Sequence, residues 1–198
     1  MSMQILVLPF ILLNLFAGLL GGAGMLFQGE WSIFFLGLAW MFVGAYVLSL
    51  ALLPGMIFAP IAAWAADRDN LVLVAIAAIP AMAWTYTIVA VSCVAIFSGI
   101  VHNSDAGIFH LLWGYASATG PWSFLAREDA KAGNDYAALT SFFAQLGVIS
   151  MMIATLIEPR DTDFYRLIYW FAPLLLIGLV VQLFIVWVET KNSRHGLR

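Results

Sequence analysis

Residues 71–101 read LVLVAIAAIPAMAWTYTIVAVSCVAIFSGIV, a stretch of 31 residues without a charged side chain. A helix needs about 20 apolar residues to cross a hydrocarbon layer about 30 Å thick, so this stretch is long enough to cross. Its apolar residues do not form the short alternating segments that are typical of a membrane β-barrel. Because backbone polar groups in lipid must pair within the chain, residues 71–101 are predicted to form a membrane-spanning helix, with a bend at Pro80.

The composition of the whole chain agrees with this interpretation. Of its 198 residues, 64% are hydrophobic and 10% are charged, whereas soluble domains carry about 25% charged residues. So few charges cannot cover the surface of a soluble domain of this length. The sequence therefore predicts an all-α fold, a polytopic transmembrane helical bundle that forms a single domain. The charge-free runs place its five spans at about 5–27, 31–53, 71–101, 137–157 and 167–188.

The run 31–66 is too long for one upright helix, because 36 residues would extend about 54 Å. Pro54 and Gly55 predict a break, after which residues 56–66 would lie on the interface or over the bundle. The alternative is one long tilted helix that is kinked near Pro54 and Pro60.

The run 106–126 is apolar but is interrupted by Gly107, Gly114 and the pair Gly120–Pro121. It also contains Trp113, Tyr115 and Trp122, and such side chains are enriched at membrane–water interfaces. We expect an interfacial or re-entrant element here. If the segment crosses the membrane instead, the number of spans becomes six.

Positive residues predict the orientation of the bundle. With five spans, the side that holds the C-terminus carries five Lys and Arg residues and the other side carries three. The positive-inside rule then predicts a multi-pass membrane protein whose C-terminus is cytoplasmic.

Small residues in two spans predict close helix packing. Gly18 and Gly22 form a GxxxG pair in the first span, and Ala17 and Gly21 form a second pair with the same spacing. Such pairs let two helix backbones approach closely, whether the second helix belongs to the same chain or to another subunit. Ala77 and Ala81 suggest another such face in the third span.

Polar side chains inside the spans favour interhelical hydrogen bonds over a solute pathway. Asn14, Gln145 and Gln182 are the costliest to leave in lipid, so we expect them to face the interior of the bundle or a partner.

A candidate ligand group follows the third span, where His102 and His110 flank Asp105. These side chains could bind a metal, and either imidazole could bind a haem or pigment. The spacing matches no established zinc motif, and Asn103 to Gly107 are turn formers, so a polar loop is the favoured interpretation. No cofactor is clearly implied.

The functional expectation rests mainly on the absence of charge within the spans. Intramembrane charges mark proton relays and ion pathways, and the five predicted spans contain none. No catalytic constellation is present, and a net charge of −3 argues against a nucleic-acid partner. We therefore expect a non-catalytic structural or assembly subunit of a larger membrane complex, in contact with the lipid bilayer and with other membrane subunits or copies of itself. The alternatives are an oligomeric channel or carrier for a small or neutral solute, and a cofactor- or pigment-binding subunit.

Overall fold

The computed structural model describes residues 4–68, 71–101, 107–131, 136–158 and 163–195, and all of its regular elements are helices. They are α1 (Gln4–Phe27), α2 (Trp31–Met56), α3 (Phe58–Asp67), α4 (Leu71–Val101), α5 (Ile108–Lys131), α6 (Tyr136–Ile157) and α7 (Phe164–His195). Five of the helices are long and apolar enough to cross a membrane, over Leu8–Phe27, Trp31–Ala62, Val72–Val101, Ala138–Ile157 and Phe164–Val188. The predicted all-α helical bundle is confirmed.

The connection between α1 and α2 is a tight turn built on Gly29. This residue has a φ of 77°, a left-handed conformation that glycine adopts without steric cost. The Gly29 amide donates to the Leu26 carbonyl at 3.2 Å, and the Glu30 amide donates to the Met25 carbonyl at 2.9 Å. These two bonds satisfy the last carbonyls of α1 in the manner of a Schellman motif, so α2 starts immediately and runs antiparallel to α1.

The region around Pro54 remains helical. Helix α2 continues through Pro54 to Met56, and Ile57 alone separates it from α3. Ile57 keeps right-handed helical dihedrals, with φ −60° and ψ −29°. The boundary between α2 and α3 therefore falls at Ile57, three residues after Pro54. Helix α3 packs mainly against α4.

Helix α5 is the element that differs most from the sequence expectation. It is one continuous helix of 24 residues that packs against α1, α2, α4 and α6. A re-entrant segment would reverse its direction, and Ile108–Lys131 keeps one direction throughout. At about 1.5 Å per residue, α5 is about 36 Å long, which equals or exceeds the thickness of a hydrocarbon core.

The contacts of α5 fix the directions of its neighbours. Gly24 and Gly21 of α1 lie against Phe109 and Trp113, so α1 is antiparallel to α5. Gly37 and Gly44 of α2 lie against Ser117 and Pro121, so α2 is parallel to α5. Gly114 of α5 lies against Phe97 and Val101 of α4, and Trp122 donates to Ser92, so α4 is antiparallel to α5. Helices α5 and α6 pack together although only four residues separate them, so they are antiparallel as well. Gly147 lies against Phe171 and Gly178 against Phe143, which makes α7 antiparallel to α6. The six long helices thus alternate in direction along the chain.

Candidate functional site

The interface of α1 and α5 depends on residues without bulky side chains. A Cβ atom at Gly21 would lie 2.5 Å from the Trp113 backbone nitrogen, and one at Gly22 would lie 2.9 Å from the Trp113 ring. At Gly18 it would lie 3.5 Å from the Ala116 Cβ, and Ala17 is fully buried. The structure therefore places the predicted GxxxG face against α5 of the same chain.

The second predicted small-residue face lies on α4. Ala77 is buried, and the Ala81 carbonyl lies 3.5 Å from the position of a Cβ atom at Gly55. Helix α3 covers α4 and contributes the fully buried Ala65. These alanines therefore lie in helix–helix contacts within the chain.

Trp113 lies inside the bundle and not at its surface. Its exposed fraction is 3%, and its indole Nε1–H donates to the Ile33 carbonyl of α2 at 3.1 Å. The ring stacks on Phe34, with the two ring centroids 5.2 Å apart. Trp113 thus joins α1, α2 and α5, although its residue type suggested an interfacial position.

A hydrogen-bonded cluster joins α5 to α6. The Tyr115 hydroxyl donates to Gln145 Oε1 at 2.8 Å. Gln145 Nε2 donates to Ser123 Oγ of α5 at 3.2 Å and to Ser141 Oγ of its own helix at 3.3 Å. All four side chains are buried, and Gln145 is completely so. The structure thus places Gln145 in the interior of the bundle.

The cluster continues to α1 and α4. Asn14 Nδ2 makes a short hydrogen bond to Thr119 Oγ1, and Thr119 Oγ1 donates to the Tyr115 carbonyl at 2.7 Å. One turn after Thr119, Trp122 Nε1 donates to Ser92 Oγ of α4 at 3.2 Å. We call these hydrogen-bonded side chains around α5 the polar layer; its members are Asn14, Ser92, Tyr115, Thr119, Trp122, Ser123, Ser141 and Gln145.

Gln182 lies outside the polar layer. It is buried, and its Nε2 donates to Thr140 Oγ1 of α6 at 2.8 Å. This bond joins α6 to α7. At the same interface, Gly147 of α6 lies against Phe171 of α7, and Gly178 of α7 lies against Phe143 of α6.

Of the candidate ligands, only His110 falls within the described residues; His102 and Asp105 lie outside them. His110 is 6% exposed, and its Nδ1 has no hydrogen-bond partner in the described structure. No group of three His, Cys, Asp or Glu side chains that could hold a metal occurs in the parts of the chain that the structure describes. The ligand set of His102, Asp105 and His110 stays a prediction.

Comparisons with protein-family models, with curated proteins and with solved structures find no match for this chain.

The contribution of α5 to the polar layer is not predicted from the sequence. Tyr115, Thr119 and Ser123 recur at intervals of four residues, which places them on one face of a helix. Ser141 and Gln145 have the same spacing on the facing helix. This four-residue spacing predicts a shared polar face on each helix, but only if residues 108–131 are taken to be helical.

The polar layer is suited to holding helices in register. No Asp, Glu, Lys or Arg is buried among the side chains that the structure describes. The amide and hydroxyl groups of the layer bond mainly to one another, and a satisfied buried network rigidifies a core and specifies one arrangement.

Proposed function

We propose that this chain is a six-crossing membrane protein that acts as a non-catalytic structural or assembly subunit of a larger membrane complex. The observation that carries the proposal is the position of α5. It fills the axis of the bundle, and its polar side chains pair with α1, α4 and α6. In the described part of the chain, the axis of the bundle is occupied by the side chains of α5.

The alternating helix directions support a sixth crossing. If α5 crosses, both chain ends lie on the side of the membrane where α5 ends. Among residues in the described helices and turns, Arg68, Arg127, Lys131, Lys191 and Arg194 lie at that end, and Arg166 lies at the other. Counted over all eight Lys and Arg residues of the sequence, the side with both chain ends would hold six, compared with five on the C-terminal side of the five-span arrangement. The larger imbalance favours cytoplasmic N- and C-termini.

The outer surface of the described helices is largely apolar. Large apolar side chains are exposed along α1, α2 and α7, among them Phe16, Phe42 and Phe184. Lipid alone can cover such a surface, so the surface does not identify a protein partner. The case for a subunit rests on the interior, which contains no described charged group for transport or catalysis.

The test is gentle solubilisation of native membranes that contain an affinity-tagged chain, followed by mass measurement and identification of the co-purifying proteins. We expect a particle heavier than the chain plus detergent, with defined partner proteins. A Gly21→Leu variant is the matched control, because it disrupts the α1–α5 interface and should lose the partners that require the folded bundle. A single species with the mass of one chain, together with solute flux in liposomes that contain only this protein, would favour the channel or carrier alternative.

His110 favours a second candidate function, the binding of a haem or pigment. A buried imidazole whose Nδ1 lacks a protein partner is a suitable axial ligand. An absorption spectrum of the natively purified protein tests this function directly. A visible band that disappears in a His110→Leu variant would support it, and a spectrum with only aromatic absorption would reject it.

A further inference from the structure

Helix α2 contains a proline close to its end. Pro54 lies inside α2, and Ile57 is the single residue that separates α2 from α3. A proline has no N–H, and its ring collides with the carbonyl four residues earlier, so a helix bends there and the turn before the proline opens. In α2 this turn runs from Leu50 to Pro54. In a membrane, the carbonyls of such a turn are satisfied by groups from neighbouring helices or by water.

Trp84 of α4 supplies a donor to this turn. Its Nε1–H donates to the Ala51 carbonyl at 2.8 Å. Gly55 lies four residues after Ala51 and therefore on the same face of α2. A Cβ atom at Gly55 would lie 3.0 Å from Trp84 Cδ1, so the lack of a side chain there lets the indole approach the bend.

The same arrangement recurs at two other prolines of the chain. In each case a side chain of a neighbouring helix donates to the carbonyl three residues before the proline. The bonds run from Cys93 to Ala118, before Pro121, at 3.6 Å, and from Ser150 to Trp170, before Pro173, at 2.9 Å. The Ser150 hydroxyl shares its proton with the Gly147 carbonyl of its own helix at 2.7 Å. Cross-helix donors are therefore a repeated way in which this bundle fixes its proline bends.

The three donors differ in their access to the surroundings of the bundle. Cys93 is completely buried, and Ser150 is partly buried. Trp84 is 40% exposed, at the edge of the bundle. The bond at α2 can therefore break without opening the core, whereas the bond from Cys93 cannot.

Helix α3 is the element whose position depends on this bend. It packs mainly against α4 and has fewer contacts with α2. Ala65 is its buried residue, whereas Ile61 and Trp64 are each about half exposed. The chain after Pro54 thus forms an arm that is attached to the bundle along one helix.

We propose that the joint between α2 and α3 is a hinge that the Trp84 indole holds in one position by its hydrogen bond to the Ala51 carbonyl. Pro54 weakens the helical bonds that would otherwise keep the joint straight. The indole bond replaces part of that support and fixes the direction of the bend. Loss of the bond lets α3 move relative to α2, while α5 keeps its contacts with the bundle.

The experiment measures the distance across the joint in the full-length protein in lipid nanodiscs. Spin labels are attached at Leu36→Cys in α2 and Ile61→Cys in α3, two exposed positions on either side of Pro54. The background is Cys93→Ser, which removes the native thiol and keeps a donor at that position. Pulsed electron double resonance should give one narrow distance distribution. In a Trp84→Phe variant, which lacks the indole N–H, we expect a broader distribution with a second maximum.

Three further variants separate the hinge from a general loss of packing. Trp40→Phe removes an indole whose Nε1 has no partner in the described structure, so the distribution should stay narrow. Gly55→Val keeps the indole but displaces it from the bend, so it should broaden the distribution as Trp84→Phe does. Pro54→Ala restores the helical bond of the Leu50 carbonyl, so adding Trp84→Phe to it should no longer broaden the distribution.

The spectra decide the question even if one variant fails to fold, because Trp84→Phe and Gly55→Val break the same bond from opposite sides. A distribution that stays narrow in either folded variant overturns the proposal. A broad distribution in the protein that retains Trp84, Gly55 and Pro54 overturns it as well, because the indole would then not hold the joint.

Discussion

Replacing Gln145 with leucine removes the residue that links α5 to α6 in the polar layer while keeping a side chain of similar length. The variant loses two interhelical hydrogen bonds, to Tyr115 and to Ser123. Such bonds are worth about 0.6 kcal/mol each in membrane proteins, or about 1.2 kcal/mol together. The Tyr115 hydroxyl, on a residue that is 1% exposed, also loses its acceptor, which costs a further 1–3 kcal/mol or so. We therefore expect the free energy of unfolding to fall by about 2–4 kcal/mol.

The assay is reversible unfolding in mixed micelles, followed by helical circular dichroism as the fraction of denaturing detergent increases. Tyr115→Phe and the double variant Tyr115→Phe/Gln145→Leu complete a double-mutant cycle. Because the double variant leaves no unpaired tyrosine hydroxyl, its loss should be smaller than the sum of the single losses by at least about 1 kcal/mol. Ser98→Ala is the control, since the exposed Ser98 hydroxyl bonds only to the Ala95 carbonyl of its own helix. Additive single effects, or a Gln145→Leu protein within about 0.5 kcal/mol of wild type, would refute the structural role of the polar layer.

Three other predictions follow from packing and burial. Gly21→Ala should lower the free energy of unfolding by about 2 kcal/mol or more, since its Cβ would lie 2.5 Å from the Trp113 backbone nitrogen. Gly99→Ala should raise the free energy of unfolding by up to about 1 kcal/mol, because no atom lies within 4 Å of its Cβ position. Equal effects of the two variants in the same detergent titration would contradict the packing. Gly29→Ala should cost about 1–2 kcal/mol despite open space around it, because its φ is 77°, and a neutral effect would argue against the turn. Cys93, the only cysteine of the chain and completely buried, should react with a maleimide only after unfolding, and rapid labelling of the native protein would show that the α4–α5 interface opens.

The apolar runs could be predicted from the sequence because a lipid-exposed helix must be apolar on every exposed position. Leu71–Val101 is the clearest case, since its sequence is compatible with lipid along its whole length. Hydropathy measures how favourably a segment partitions into lipid, so it identifies lipid-exposed helices directly.

The same criterion fails for α5, because this helix has little contact with the surroundings of the bundle. A central helix needs small residues for close approach and polar residues for its bonds to neighbours, so Gly114, Ser117, Thr119 and Pro121 lower its hydropathy. These residues suggest an interface when the segment is considered alone. Their hydrogen-bond partners, such as Asn14, are about 100 residues away in the chain, so no local sequence pattern predicts the pairing.

The most direct test of the central claim, that α5 is a sixth crossing, is the location of the two chain ends. Single cysteines are introduced by Ser2→Cys, Ser104→Cys and Ser193→Cys, each in a Cys93→Ser background. A membrane-impermeant maleimide is then applied to right-side-out and to inside-out vesicles. We predict that the cysteines at positions 2 and 193 are labelled only in inside-out vesicles, and the cysteine at position 104 only in right-side-out vesicles. Labelling of positions 2 and 193 from opposite sides would contradict a sixth crossing and restore the five-span arrangement.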